Sequence, residues 1–219
     1  MSALSEPTRQ KIKSLFNDFR QKMEHKGLEL NLDDINSGIK PMTEAIFKNN
    51  FPDYIHLMVA QRISGSFSGI LGNLVEPLSQ AIITGSGGKI VDGNPKPFDL
   101  KFTHLNGDEY WVELKSIDGQ NKSNKETIGK NRKDAIEQGK KFLLCIYNNE
   151  KQDKKDWIIS GANYWNFIGN NASTWEELEK LLSQFGEDFK IASIIENRVK
   201  ELNEENISKD SERRDLFDF

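Results

Sequence analysis

The chain has 219 residues, enough for one complete core and short for two independent ones, so a single domain over 1–219 is expected. Hydrophobic residues make up 36%, charged residues 29% and aromatics 10%, with 13 Phe, which is too aromatic for a disordered chain. A net charge of −4 argues mildly against a nucleic-acid protein, although a total hides clustering, and one cysteine excludes an internal disulfide or a cysteine zinc cluster. No apolar run approaches the ~18–20 residues of a membrane span, and no basic start leads into an apolar stretch, so a soluble cytoplasmic protein is expected.

Residues 1–84 read as a helical lead. From Ser5 to about Lys26, Ile12, Leu15, Phe16, Phe19 and Met23 fall at helical spacing, with Ser5 as cap, Pro7 in the first turn and Gly27 as stop. Further helices are predicted over Met42–Asn49, Asp53–Ile63 and Ser68–Thr84, with Asn50-Phe-Pro and Ser64-Gly-Ser as breakers. At Gly85 the pattern changes to alternation, and residues 85–160 read as a core of short strands. Lys89–Asp92 is a strand candidate. Phe98, Leu100 and Phe102 alternate with Asp99 and Lys101; after a turn, Tyr110, Val112 and Leu114 alternate with Trp111, Glu113 and Lys115. This predicts a hairpin with one charged, open face. A helix over about Lys125–Gln138 and buried strands at Phe142–Tyr147 and Trp157–Ser160 complete the core. Residues 161–219 form a helical tail, with helices at Asn163–Ile168, Trp175–Phe185 and Ile191–Asn203.

Glu113 and Lys115 lie on one strand face, ~6.6 Å apart. Asp99 on the adjoining strand reaches Glu113 if the register permits. Two converging carboxylates need a neutralising cation, and oxygen ligands select a hard ion such as Mg²⁺. A neighbouring lysine supplies charge stabilisation for phosphodiester hydrolysis and helps orient or deprotonate the attacking water. Spacing alone does not select this site, because acidic-x-Lys occurs five times, at Glu24, Asp99, Glu113, Asp153 and Asp188. Only Glu113-Leu-Lys115 follows a Pro-Phe-Asp strand at hairpin distance. The competing interpretation is a cross-strand ion network on a solvated sheet face.

The run Pro97-Phe98-Asp99, thirteen residues, then Glu113-Leu114-Lys115 resembles the Pro-Asp…(Asp/Glu)-x-Lys signature of the restriction-endonuclease-like nucleases, and more specifically the type II restriction endonucleases. The order of elements over about Leu71–Ser160 is similar too. This resemblance implies an α/β fold with a restriction-endonuclease-like core: a central mixed sheet of about five strands flanked by helices, between helical N- and C-terminal segments. It also implies Asp99 and Glu113 as Mg²⁺ ligands, the Leu114 carbonyl as a third, and Lys115 as the catalytic lysine. Here Phe98 separates Pro from Asp, and Asp92 is a rival first ligand. Glu76 is the candidate for an additional acid; its alternative is a first-turn acid favouring a helix dipole.

From Lys115 to Lys141 eight basic residues face four acidic ones, a net of +4 inside a chain of −4. Asn121, Lys122, Asn124, Lys125, Lys130, Arg132 and Lys133 are therefore candidate DNA contacts, with Asn131 among the interleaved polar donors; a solvated helix face would look similar. Two shorter likenesses to type II enzymes are a small-residue run at 62–72 and an aromatic stretch at 160–169. Gly85-Ser-Gly-Gly-Lys89 lacks the first glycine and the Ser/Thr of a phosphate-binding loop, and His25, His56 and His104 share no ligand spacing. The expected activity is Mg²⁺-dependent, sequence-specific cleavage of double-stranded DNA by a homodimer, with a companion methyltransferase protecting the host site. The runners-up are a structure- or damage-directed nuclease of the same fold and a non-catalytic DNA-binding module.

Overall fold

The computed structural model describes residues 2–37, 41–48, 50–91, 96–116, 122–148 and 155–215, with backbone alone at 44, 122, 123 and 210–215. Eight helices and five strands are described: α1 (Glu6–Glu29), α2 (Leu32–Asn36), α3 (Pro41–Phe47), α4 (Phe51–Gly85), β1 (Lys89–Ile90), β2 (Leu100–Thr103), β3 (Glu109–Lys115), α5 (Lys122–Glu137), β4 (Lys141–Ile146), β5 (Ile158–Ser160), α6 (Gly161–Ile168), α7 (Thr174–Asp188) and α8 (Ile191–Asp215). The chain divides into two compact units, Met1–Phe16 with Gly72–Phe185, and Asn17–Leu71 with Gly186–Phe219. Among the described residues no helix is long and apolar enough to cross a membrane.

The first unit contains the sheet, an α/β arrangement with strands in the order β1-β2-β3-β4-β5. β1, β2 and β3 pair antiparallel, and β3, β4 and β5 pair parallel, so the five-stranded sheet is mixed as expected. Parallel β3 and β4 require a crossover, and α5 supplies it. On one sheet face Phe98, Trp111, Phe142, Leu144, Ile146 and Ile158 form a buried cluster with Ile128 and Ala135 of α5. On the other, Phe102 and Tyr110 pack their rings at 6.4 and 5.1 Å from Phe167 of α6. The fully buried Tyr164 of α6 has its hydroxyl 2.9 Å from that of Ser79 on α4. Burial of each such side chain contributes ~1.5–3 kcal/mol, and this two-sided burial holds short strands together.

Residues 85–88, Gly-Ser-Gly-Gly, close α4 rather than cradle a phosphate. The Ser86 and Gly88 amides return to the Ile82 and Ile83 carbonyls at 2.9 Å, with Gly87 at φ +92° between them. A Cβ on Gly88 would sit 2.8 Å from Ile83 Cγ2 and 3.1 Å from the Thr103 carbonyl. The sharp return puts β1 against β2, and only glycine permits it.

The second unit is helical. Phe19 of α1 meets Phe67 of α4 and Phe189 edge-on at 5.6 Å, and the Tyr54 hydroxyl donates to the Ile35 carbonyl. Three predicted boundaries do not hold, one of them the end of the last helix, which runs past Asn203 to Asp215. Gly27 does not stop α1, which continues to Glu29; a Cβ there would lie 2.7 Å from Ile194 Cγ2, so the glycine serves the close approach of α8. Ser64-Gly-Ser does not split α4 either. Gly65 and Gly69 cost ~1 kcal/mol each relative to Ala, less than the apolar rows Tyr54–Ile55–Val59–Ile63 and Leu74–Val75–Leu78–Ile82 contribute when one continuous helix buries both.

Candidate active site

β3 outruns β2. The β2–β3 ladder ends at Leu100↔Val112, whereas the β3–β4 ladder continues through Glu113↔Leu144 to Lys115↔Ile146. Among the described residues, Glu113-Leu-Lys115 therefore has one edge paired and one edge without a strand, and Asp99 occupies the open edge. Its amide donates to the Val112 carbonyl at 3.0 Å and its carboxylate Oδ2 accepts the Leu114 amide at 2.7 Å. Phe98, inserted between Pro97 and Asp99, is 3% exposed and packs its ring, tilted, 4.8 Å from that of Trp111, so its packing anchors the backbone just ahead of the aspartate.

Lys115 gathers the two acids. Its Nζ is 3.1 Å from Glu113 Oε2 and 3.7 Å from Asp99 Oδ2. The Lys115 and Asp99 side chains are 29% and 40% exposed, so the cluster opens to solvent on their side. Glu113 does not share that openness: it is 4% exposed, and Asn131 of α5 donates to its Oε1 at 2.5 Å. The open charged face expected of this hairpin is thus corrected. Phe142, Leu144 and Ile146 of β4 present an apolar strip beside Glu113, and burying it draws α5 across the face. Burial pulls the Lys115 pKa down, but the hydrogen bond to Glu113 and the two negative charges outweigh it, and the net shift is upward.

The Lys115 carbonyl accepts the Tyr147 amide on the β4 side at 3.0 Å. Successive strand residues turn their polar groups to opposite edges, so the Leu114 carbonyl faces the Asp99 side. Two carboxylates and a carbonyl there form an all-oxygen donor set, which suits a hard divalent cation. Among the described residues no three His, Cys, Asp or Glu side chains gather as a metal site. Glu76 on α4 accepts from Gln80 at 3.0 Å; burial, then the charge of Asp99, holds its carboxyl above the ordinary value. It stands within electrostatic reach of Asp99, outside the Lys115 cluster.

The remaining candidates are dispersed. Asp92, Asn121 and the side chain of Lys122 lie outside the described residues. On α5, residues 124, 128, 131 and 135 recur on the sheet-facing row, and Asn124 is half-buried there. Lys125 and Lys130 are exposed on opposite flanks of that row. Arg132 is half-buried with its guanidinium 5.1 Å from the Trp157 ring, and Lys133 points away and pairs with Glu137 at 3.6 Å. The basic residues therefore do not share one surface. Asn131, read among the interleaved polar donors to nucleic acid, is 2% exposed and bound to Glu113. Its signal was a polar residue in the apolar row Ile128–Ala135. Elsewhere, His104 stacks on Phe167 at 4.7 Å, Lys101 Nζ lies 4.0 Å over the Trp111 ring, and Cys145 is buried, its thiol pKa raised by that burial.

No protein-family model matches the chain, and no curated protein matches it.

Proposed function

We propose that the first unit hydrolyses phosphodiesters in double-stranded DNA with Mg²⁺, as a type II restriction endonuclease of the restriction-endonuclease-like class. What carries this reading is the convergence of Asp99 and Glu113 on Lys115 at the unpaired edge of β3, with the Leu114 carbonyl turned toward the same side. A hairpin followed by a crossover helix and a parallel strand supports it, since that is the order of elements the sequence resemblance implies.

Asp99, Glu113 and the Leu114 carbonyl would hold the cation, which when bound supplies charge neutralisation at the reacting phosphate. Asp99 is fixed by the Leu114 amide and Glu113 by Asn131, so both carboxylates are oriented before substrate arrives. Lys115 carries an ammonium on the solvent side of Glu113. There it donates to a phosphate oxygen, stabilises charge accumulating at the pentacoordinate phosphorus and orients the attacking water. Cutting both strands of a symmetric site calls for a two-fold dimer, and a restriction activity calls for a companion methyltransferase.

The test is incubation of the purified chain with long plasmid DNA, with Mg²⁺ and with chelator. Discrete Mg²⁺-dependent fragments support the proposal. Nicking confined to branched or damaged DNA would move the chain to a structure-directed nuclease, and no cleavage by a folded protein would leave Asp99, Glu113 and Lys115 as an ion network.

A further inference from the structure

Resting on that reading of the site, we propose that Asn131 is a positioning residue that restricts Glu113 to a single ligating oxygen and so sets the preference of the site for Mg²⁺ over larger cations such as Ca²⁺. The two oxygens of Glu113 have different surroundings. Oε1 is turned under α5 and takes the Asn131 amide at 2.5 Å, while Oε2 faces Lys115 at 3.1 Å, toward the side where Lys115 and Asp99 are open to solvent. Asn131 is 2% exposed and occupies the row of α5 otherwise used by Ile128 and Ala135. An apolar residue there would extend the cluster; an asparagine adds nothing to packing and requires a partner. That partner is one carboxylate oxygen of the glutamate most deeply buried in the site.

The chemical consequence follows from ligand preferences. Mg²⁺ demands near-octahedral geometry and takes one oxygen per carboxylate, keeping several waters, whereas Ca²⁺ accepts 6–8 oxygens and readily takes a carboxylate through both. A donor held on Oε1 opposes the two-oxygen mode and leaves the one-oxygen mode intact. Partners that orient a ligand in this way typically govern ~10–100-fold in metal affinity.

The experiment titrates the whole chain, without DNA, separately with Mg²⁺ and Ca²⁺ by calorimetry, in wild type, Asn131→Ala, Asn131→Ser and Glu113→Gln. Folding of each is checked by circular dichroism. In Asn131→Ala, Mg²⁺ affinity is expected to fall about tenfold while Ca²⁺ affinity holds or rises, shifting the preference about tenfold or more toward Ca²⁺. Asn131→Ser, which keeps a short donor, should shift less. An unchanged ratio of the two affinities in a folded Asn131 variant overturns the proposal, because a merely structural amide would alter stability without altering ion preference. Failure of both variants to fold overturns it as well, by assigning the bond to stability alone. Wild-type binding that Glu113→Gln does not weaken would instead overturn the reading of the site as a metal centre, and this proposal with it.

Discussion

Lys115→Ala separates a nuclease site from an ion network most directly. In the wild type the ammonium lies 3.1 Å from Glu113 Oε2 and 3.7 Å from Asp99 Oδ2. After truncation Asp99, 40% exposed, keeps water and the Leu114 amide, whereas Glu113, 4% exposed, keeps Asn131 among the described residues. Removing one partner of a fully buried pair costs ~3–5 kcal/mol, and a hydrogen bond to a charged group contributes ~1.5–3 kcal/mol. Because Lys115 is 29% exposed and water enters where it stood, the lower range applies, ~2 kcal/mol. For a chain of this length that lowers the melting temperature by ~4–8 °C. Plasmid cleavage should fall ~10²–10⁴-fold or more, as for loss of a group that stabilises transition-state charge. Lys115→Arg resolves the two effects. It returns a cation to the carboxylates and should recover most of the melting temperature, but its planar fork does not reproduce a point donor, and cleavage should stay at least ~10²-fold down. Melting curves and initial cleavage rates on the three proteins decide the matter. Wild-type cleavage by Lys115→Ala refutes the catalytic role, and an unshifted melting temperature refutes the energetic account of the Glu113 environment.

Asp99→Asn retains an oxygen that accepts the Leu114 amide, so melting should shift by less than ~1 kcal/mol equivalent while cleavage is lost; Lys101→Ala and Asp92→Asn should still cut, and the reverse pattern in plasmid assays would move the first acidic ligand. Glu177 anchors the start of the chain, accepting from Ser2, Ala3, Leu4 and Arg9; burial raises its pKa, but these donors outweigh burial and lower it to about 2. A depressed carboxylate contributes stability above its unfolded value of ~4.3 and loses it as pH falls toward about 2, so the melting difference between wild type and Glu177→Gln should be full at pH 7 and close between pH ~4.5 and 2. On α5, Lys125 lies in the first turns, at the end where β3 leaves the site, and Lys133 points away and pairs with Glu137; in a salt titration of DNA binding in Ca²⁺, Lys125→Ala should flatten the log–log slope by ~0.9 and Lys133→Ala should leave it unchanged.

Much of the sheet was legible because alternation is a local signal. Leu100, Phe102, Tyr110 and Val112 declare one face of β2 and β3, and Asp99 and Glu113 follow onto neighbouring positions once the register Leu100↔Val112 is known. The contribution of Phe98 was not legible in the same way. It continues the apolar alternation of β2, yet it precedes the ladder and packs with Trp111 and Ile128 on the other face, because chain leaving a ladder is no longer bound by the pleat. Gly27 misled because a glycine can mark either a chain reversal or a close approach, and only the position of Ile194 distinguishes these there; Gly65 marks neither, since a Cβ on it would meet nothing within 4 Å.

The site was half legible, and the division follows the origin of each contact. Asp99, Glu113 and Lys115 belong to one hairpin, where sequence spacing becomes distance directly. Asn131 comes from the helix that crosses back over the sheet, so its meeting with Glu113 depends on the rotation of α5 about its axis, which the apolar pair Ile128 and Ala135 decides. The same rotation disperses the basic residues. Once Ile128, Asn131 and Ala135 face the sheet, Lys125 and Lys130 must fall on opposite flanks and Lys133 on the back, however dense their charge appears along the chain. A run of cations on a helix acquires a direction only after the helix has committed its buried row. Here that row is committed to the acid at the centre of the site, so α5 serves first to orient Glu113.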